Sequence, residues 1–393
     1  MLINQQKRQQ IGEFLDLVAD GLDIPDDIYQ LIRERYTSLG AWLKANHLKR
    51  YASDAEIYPQ GSIRLGTIVR PIKTEDEYDV DLVYRRDIKK ASTTQEELKK
   101  DLGTQLNCYI QHLSNKGDPI PALRESRRCW TLEYKGQFHM DILPAIPDDE
   151  AILHNVRDPD DGIIITDKKL RQWQYSNPKG YANWFDDRQR VLLLERRTMM
   201  AKAAEVKIET IPPERVPTPL RRVVQILKQH RDIQYQGNPD DKPISIIITT
   251  LAALAYQGEP NVFDALMAVV PKMKAGIEWR NGEYWVANPI NPTGENFADK
   301  WRQTEEPQRA QRFFEWLLKV ETDFTRASQQ TGMQKLAESL SPVLGSNVIL
   351  NAMGRFGKSI DQKHQGEQLR MAANTGVLGI AGTIVKKNTW YGA

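Results

Sequence analysis

Two runs in this chain alternate apolar and polar residues strictly, Tyr78-Asp79-Val80-Asp81-Leu82-Val83 and Phe138-His139-Met140-Asp141-Ile142-Leu143. Both read as strands, because successive side chains of a strand point to opposite faces of a sheet. Val80 and Leu82 in the first run, and Phe138, Met140 and Ile142 in the second, make the faces that turn to a core. Asp79 and Asp81 then share the other face of the first strand, and Asp141 projects from the second. A turn at Lys135-Gly136 separates the second run from Cys129-Trp130-Thr131-Leu132-Glu133-Tyr134, which predicts a hairpin.

Helical spacing governs the flanks. Ile28, Leu31, Ile32, Tyr36, Leu39 and Leu43 follow Pro25 at that spacing, predicting a helical N-terminal segment to about His47 that packs on the sheet or bridges two lobes. Strands and short helices then alternate to about Pro147. The aspartate-rich stretch Asp148 to Gly162 reads as loop, and Asn183 to Glu209 as charged helix. The Pro-rich segment from Ile211 to Pro219 marks the expected boundary between lobes. Thr218-Pro219 opens a new helix, with Leu220, Val223, Val224 and Leu227 as its buried stripe. Lys228 falls on the polar side with Arg221 and Gln225, where a lysine ordinarily meets solvent. Another helix begins near Pro243, and its Ile244-Ser245-Ile246-Ile247-Ile248 is too apolar to be anything but buried. The expected architecture is mixed α/β. Residues 1–210 form a catalytic domain with N-terminal helices, 211–340 a helical lobe, and 341–393 a C-terminal segment and flexible tail.

Composition narrows the class. A chain of 393 residues can build two sizeable cores, and 40% hydrophobic with 27% charged is ordinary for a globular protein. The formal net charge of +2, from 54 basic and 52 acidic residues, argues against a protein that grips long nucleic acid through bulk charge. No apolar run has the length of a membrane span, the N-terminus begins no signal peptide, and the two cysteines offer neither a disulfide framework nor zinc spacing. A cytoplasmic protein with no membrane partner is expected.

Candidate chemistry concentrates between Gln60 and Asp141. Two carboxylates aimed at one point repel, and the hard cation that fits such a pair without cysteine or histidine is Mg²⁺, with Mn²⁺ as a substitute. The turn Gln60-Gly61-Ser62, after Tyr58-Pro59, offers a glycine-exposed amide and a hydroxyl to a phosphate. With Asp141 as a third acid this is the layout of a two-metal phosphoryl-transfer site, its ions roughly 3.5–4 Å apart. An Asp-x-Asp pair alone is usually a solvated edge. Three acids on apolar strands, with Gly-Ser less than twenty residues before the pair, make the metal site the stronger reading. Ser245 either caps its helix or meets a phosphate, and the residues leave that choice open. Gly357-Lys358-Ser359 imitates the end of a P-loop, but Ala352 stands where the first glycine is required, so it reads as loop. The six histidines, His139 included, show no metal-ligand spacing and read as structural or solvated.

Gly61-Ser62, Asp79-x-Asp81 and Asp141 resemble the motifs of the polymerase-beta-like nucleotidyltransferase superfamily. The wider series GSIRLGTIVRPI, EYDVDLV, HMDILPAIP, LRRVVQILKQHRD, KPISIIITTLAALAY and NPINPTGENFADKW resembles the bacterial cGAS/DncV-like nucleotidyltransferases (CD-NTases) of CBASS anti-phage systems, from about Tyr58 to Trp301. The resemblance implies attack of a ribose hydroxyl on the α-phosphate of an NTP, ATP being the expected substrate. Repetition and ring closure would then give a cyclic di- or trinucleotide, adenine-containing, that reaches a downstream effector. It implies that Asp79 and Asp81 bind both metals and Asp141 one of them, that Ser62 holds the β/γ-phosphates, and that Lys228 and Ser245 assist. The C-terminal Trp390-Tyr391-Gly392-Ala393 resembles the tails of a CBASS subgroup in which an E1/E2-like ligase conjugates the terminal residue, here Ala393. Two rivals share these features: an RNA-tailing or protein-nucleotidylating transferase, and a catalytically silent nucleotide sensor.

Overall fold

The computed structural model describes residues 5–46, 55–73, 75–150, 158–167, 173–302, 308–371, 378–379 and 382–386. Trp390, Tyr391 and Ala393 lie outside the described residues. In chain order the helices are α1 (Gln5–Leu22), α2 (Asp26–Ala45), α3 (Gly61–Leu65), α4 (Gln95–Lys116), α5 (Pro178–Asp187), α6 (Arg190–Ala203), α7 (Pro219–Gln234), α8 (Ser245–Ala255), α9 (Val262–Val269), α10 (Arg309–Gln329), α11 (Met333–Leu344) and α12 (Ser346–Gln365). The principal strands are β1 (Ala55–Pro59), β2 (Tyr78–Arg86), β3 (Ala122–Glu125), β4 (Trp130–Tyr134), β5 (Phe138–Pro147), β6 (Ile163–Ile165) and β7 (Gln174–Ser176). Among the described residues no helix is long and apolar enough to cross a membrane.

The chain forms two compact units. One comprises Ile24–Pro217 with Ala287–Phe297, the other Met1–Asp23, Thr218–Val286 and Ala298–Ala393. The first is built on a seven-stranded sheet of order β1-β2-β5-β4-β3, with β6 paired to β5 and β7 to β6. The alternating runs are indeed β2 and β5, and they lie side by side in parallel, Val80 opposite Met140 and Leu82 opposite Ile142. Parallel neighbours need a crossover, which the segment carrying α4 supplies. Thr94 starts that helix with a capping box, its hydroxyl accepting from the Glu97 amide while the Glu97 carboxylate accepts from the Thr94 amide. The hairpin at Lys135-Gly136 forms between β4 and β5, with Gly136 at φ +75°. Ile32, Leu39 and Leu43 of α2, with Leu102, Leu106 and Tyr109 of α4, bury Val80, Leu82, Leu132, Met140 and Ile142 on one face of the sheet. Each such side chain contributes about 1.5–3 kcal/mol by leaving water. The acids point the other way.

The helical unit departs from expectation in three places. First, α1 belongs here rather than with the catalytic sheet: Phe14 stacks edge-to-face on Phe356 of α12 with ring centroids 6.1 Å apart, and Arg8 bonds Asp264 of α9 at 2.8 Å. Second, the polar side of α7 is buried, not solvated. Arg221, Arg222, Gln225, Lys228, Gln229, His230 and Arg231 are buried along with the expected apolar stripe. Such burial requires partners. Arg222 pairs with Asp20 and Asp23, Gln225 donates to Asp23 at 2.8 Å, and Gln229 donates to the Leu344 carbonyl at 2.9 Å. Third, Gly357-Lys358-Ser359 is not loop but part of α12, a 20-residue helix in what was expected to be a separate C-terminal segment.

Candidate active site

Register builds the site. In the parallel pair Asp81 stands opposite Asp141 and Asp79 opposite His139, so residues sixty positions apart share one row and one face. Asp79, Asp81 and Asp141 each present an atom within 4.8 Å of the others, with Asp79 exposed and the other two half-buried. Three carboxylates at that spacing make an all-oxygen cluster suited to hard divalent cations, with no thiolate or imidazole in the ligand set.

The Gly-Ser turn closes over Asp81. Gln60 donates its amide to the Asp81 carbonyl at 2.9 Å and leads into α3, whose first residue, Gly61, has φ +58°. A Cβ at Gly61 would lie 2.4 Å from Oδ2 of Asp81, so both conformation and contact demand glycine. Ser62 follows in the first turn of α3, half-buried, where helix amides lack intrahelical partners.

Sequence reasoning missed the side chains that hold two of these acids. His139 places Nε2 3.3 Å from Oδ1 of Asp79 and Nδ1 3.9 Å from Oε2 of Glu77. Its hydrogen bond to Asp79 holds the imidazole above its ordinary pKa against the opposing effect of burial. It is therefore a polar neighbour of the cluster rather than a solvated bystander. Thr131, fully buried on β4, donates from Oγ1 to Oδ1 of Asp141 at 2.6 Å. Beside it, burial and the Asp141 charge push the Cys129 thiol up to about 12, so it stays a thiol. Cross-strand register was the missing signal, and spacing along one strand does not contain it.

Lys228 and Ser245 lie in the helical unit, on α7 and α8. Lys228 is buried. Ser245 is the first residue of α8 with Ile244 at the cap position, so it does not cap the helix; its hydroxyl accepts from Arg231 at 2.8 Å.

Comparison with known proteins follows this geometry. Residues 55–144 match the family of cyclic GMP-AMP synthase DncV-like nucleotidyltransferase domains. A c-di-GMP synthase from Roseivirga ehrenbergii is 29% identical over the whole of both chains. The cyclic dinucleotide synthase CdnG from Bradyrhizobium diazoefficiens is 23% identical, over 89% of this chain and 84% of its own. The structure of that CdnG in complex with GTP superposes with a TM-score of 0.64 at 20% identity, covering 88% of this chain and 99% of the other.

Proposed function

Since the chain is a nucleotidyltransferase of the DncV-like, CD-NTase kind, we propose that it joins two NTPs into a cyclic dinucleotide, with GTP as a substrate. The convergence of Asp79, Asp81 and Asp141 beneath the Gly61 turn carries this reading. Two full-length or near full-length relatives named as cyclic dinucleotide synthases, one of them for c-di-GMP, favour a dinucleotide and guanine over the adenine-containing ring that the motifs suggested.

The donor set fits Mg²⁺, so Asp79 and Asp81 would hold two ions and Asp141 one of them. Such ions lower the pKa of a bound hydroxyl and neutralise charge on a triphosphate. The chain's own residues do the positioning. Ser62 and the first amides of α3 take the β/γ-phosphates, and Gly61 keeps the backbone close enough to Asp81 for nucleotide and acids to meet. Lys228 and Ser245 are assigned to the triphosphate on resemblance. The ribose hydroxyl of one nucleotide attacks the α-phosphorus of the other, forming a P–O bond as pyrophosphate leaves, and a second transfer closes the ring. A signalling role in anti-phage defence, and conjugation of Ala393 by an E1/E2-like ligase, belong to the same proposal.

The test is incubation of purified protein with GTP, ATP and their mixture plus Mg²⁺, then phosphatase and mass spectrometry. A phosphatase-resistant cyclic dinucleotide containing guanine is expected. Pyrophosphate release that requires added RNA or protein would transfer the chain to a tailing or protein-modifying class, and no turnover under any condition would favour the silent sensor.

A further inference from the structure

Four residues on four adjacent strands form one transverse row. Arg124 on β3 faces Thr131 on β4, Thr131 faces Asp141 on β5, and Asp141 faces Asp81 on β2. Directly opposed residues of a sheet project to the same side, so the row runs from a guanidinium at one end to two carboxylates at the other.

Hydrogen bonds run in one direction from Arg124 to Asp141, by way of Ser126 in the connection between β3 and β4. Arg124 Nη1 donates to Ser126 Oγ at 3.0 Å, and Ser126 Oγ lies 3.2 Å from Thr131 Oγ1. Thr131 spends its only proton on Asp141 Oδ1 at 2.6 Å, so the Ser126 hydroxyl must be the donor to Thr131. Each hydroxyl therefore accepts one bond and gives one. Chains aligned this way polarise one another, and the bonds at both ends, from a guanidinium and to a carboxylate, are charge-assisted. The Nε of Arg124 bonds Glu133 at 2.8 Å, which fixes the guanidinium at the outer end.

Asp141 has reason to need such a hold. Its other neighbour in the row is Asp81, a like charge that repels it, so donors on its far side help to hold the carboxylate in place. The Thr131 bond engages Oδ1 of Asp141 and so restrains the orientation of a carboxylate that belongs to the cluster. We propose that Arg124, Ser126 and Thr131 form a hydroxyl relay that positions Asp141 as a metal ligand, with Thr131 as the positioning residue in contact with it. The proposal rests on the metal-site reading above.

The test measures Mn²⁺ binding to nucleotide-free protein through the EPR signal of free Mn²⁺, so that it does not depend on turnover. Thr131→Val keeps shape and burial but removes the hydroxyl donor, and it should weaken Mn²⁺ binding about 10- to 100-fold, the range for loss of a partner behind a metal ligand. Thr131→Ser restores the hydroxyl and should bind within a few-fold of wild type. Ser126→Ala, at a half-buried position, should give a smaller loss in the same direction, and it carries the test should Thr131→Val not fold. In turnover assays Thr131→Val should lower kcat more than it raises KM for GTP. Wild-type affinity in Thr131→Val, or in Ser126→Ala should Thr131→Val not fold, overturns the relay. So does an equal loss in Thr131→Ser and Thr131→Val, which would mean packing alone. If wild type fails to bind Mn²⁺, or Asp79→Asn binds it as tightly as wild type, the metal site itself falls and the relay with it.

Discussion

Gly61 shows most directly how one residue sets the chemistry of this protein. Its φ of +58° costs an alanine roughly 1–2 kcal/mol. The added methyl would also have to displace Oδ2 of Asp81, 2.4 Å away. Gly61→Ala should therefore lower the urea midpoint modestly while product formation collapses; wild-type turnover in that variant would show that the turn and Asp81 do not work together. The acids invert that pattern. Asp79→Asn or Asp81→Asn removes one of three clustered charges, so stability should hold or rise slightly. Synthesis should fall below detection, because a metal ligand supplies several kcal/mol in the transition state. Thermal melts and product mass spectra on the same preparations separate the two effects.

At the scale of an element, α7 illustrates how a helix can bury its polar side. His230 accepts at Nδ1 from the Trp316 indole N–H at 3.2 Å, so Nε2 carries the proton and faces Asp323 at 3.2 Å, with Lys319 and Arg326 completing the ring of charges around Asp323. This tautomer suits the neutral imidazole. Burial holds the His230 pKa below its ordinary value, outweighing the opposing pull of Asp323. The unfolded chain therefore binds more protons than the native state in the pH range just below about 6.5, and stability must rise with pH there. The contribution is complete above that value and is lost progressively as pH falls through it toward the lower folded pKa. Urea midpoints at pH 5 and pH 7.5 should show this slope, and His230→Gln should flatten it while lowering stability at pH 7.5. An unchanged slope in the variant would assign the pH dependence to other groups.

At the scale of the whole molecule, the near-zero net charge fits a nucleotide-dependent enzyme that needs no polymer to assemble its site. The C-terminal reading belongs here too, since it concerns the chain as a substrate of another protein. Trp390, Tyr391 and Ala393 lie outside the described residues, and the expectation rests on the resemblance of the sequence Trp390-Tyr391-Gly392-Ala393 to ligase-conjugated tails. Co-expression with an E1/E2-like ligase should yield higher-mass adducts, lost on deleting Gly392-Ala393 while purified enzyme still makes its nucleotide. Adducts that survive the deletion would place the attachment elsewhere.

Local rules were enough to place the acids on their strands. The period of two in Tyr78–Val83 and Phe138–Leu143 sets which side chains share a face, because that geometry lies within one strand. Thr218-Pro219 likewise announced the start of α7, since capping depends only on residues a turn away. The partners of the acids were a different matter. Whether His139 meets Asp79, or Thr131 meets Asp141, depends on register between strands that are distant in sequence or joined through a turn, and one slipped residue would turn each side chain to the other face. The same holds for the helices. Lys228 and its neighbours on α7 look solvated in sequence because nothing local reveals that Asp20, Asp23 and the Leu344 carbonyl converge on that side. The placement of α1 with the helical unit was decided by contacts over hundreds of residues, to Asp264 and Phe356, whereas the helix through Gly357-Lys358-Ser359 follows a local buried stripe of Ile349, Ala352 and Phe356 that a motif reading passes over.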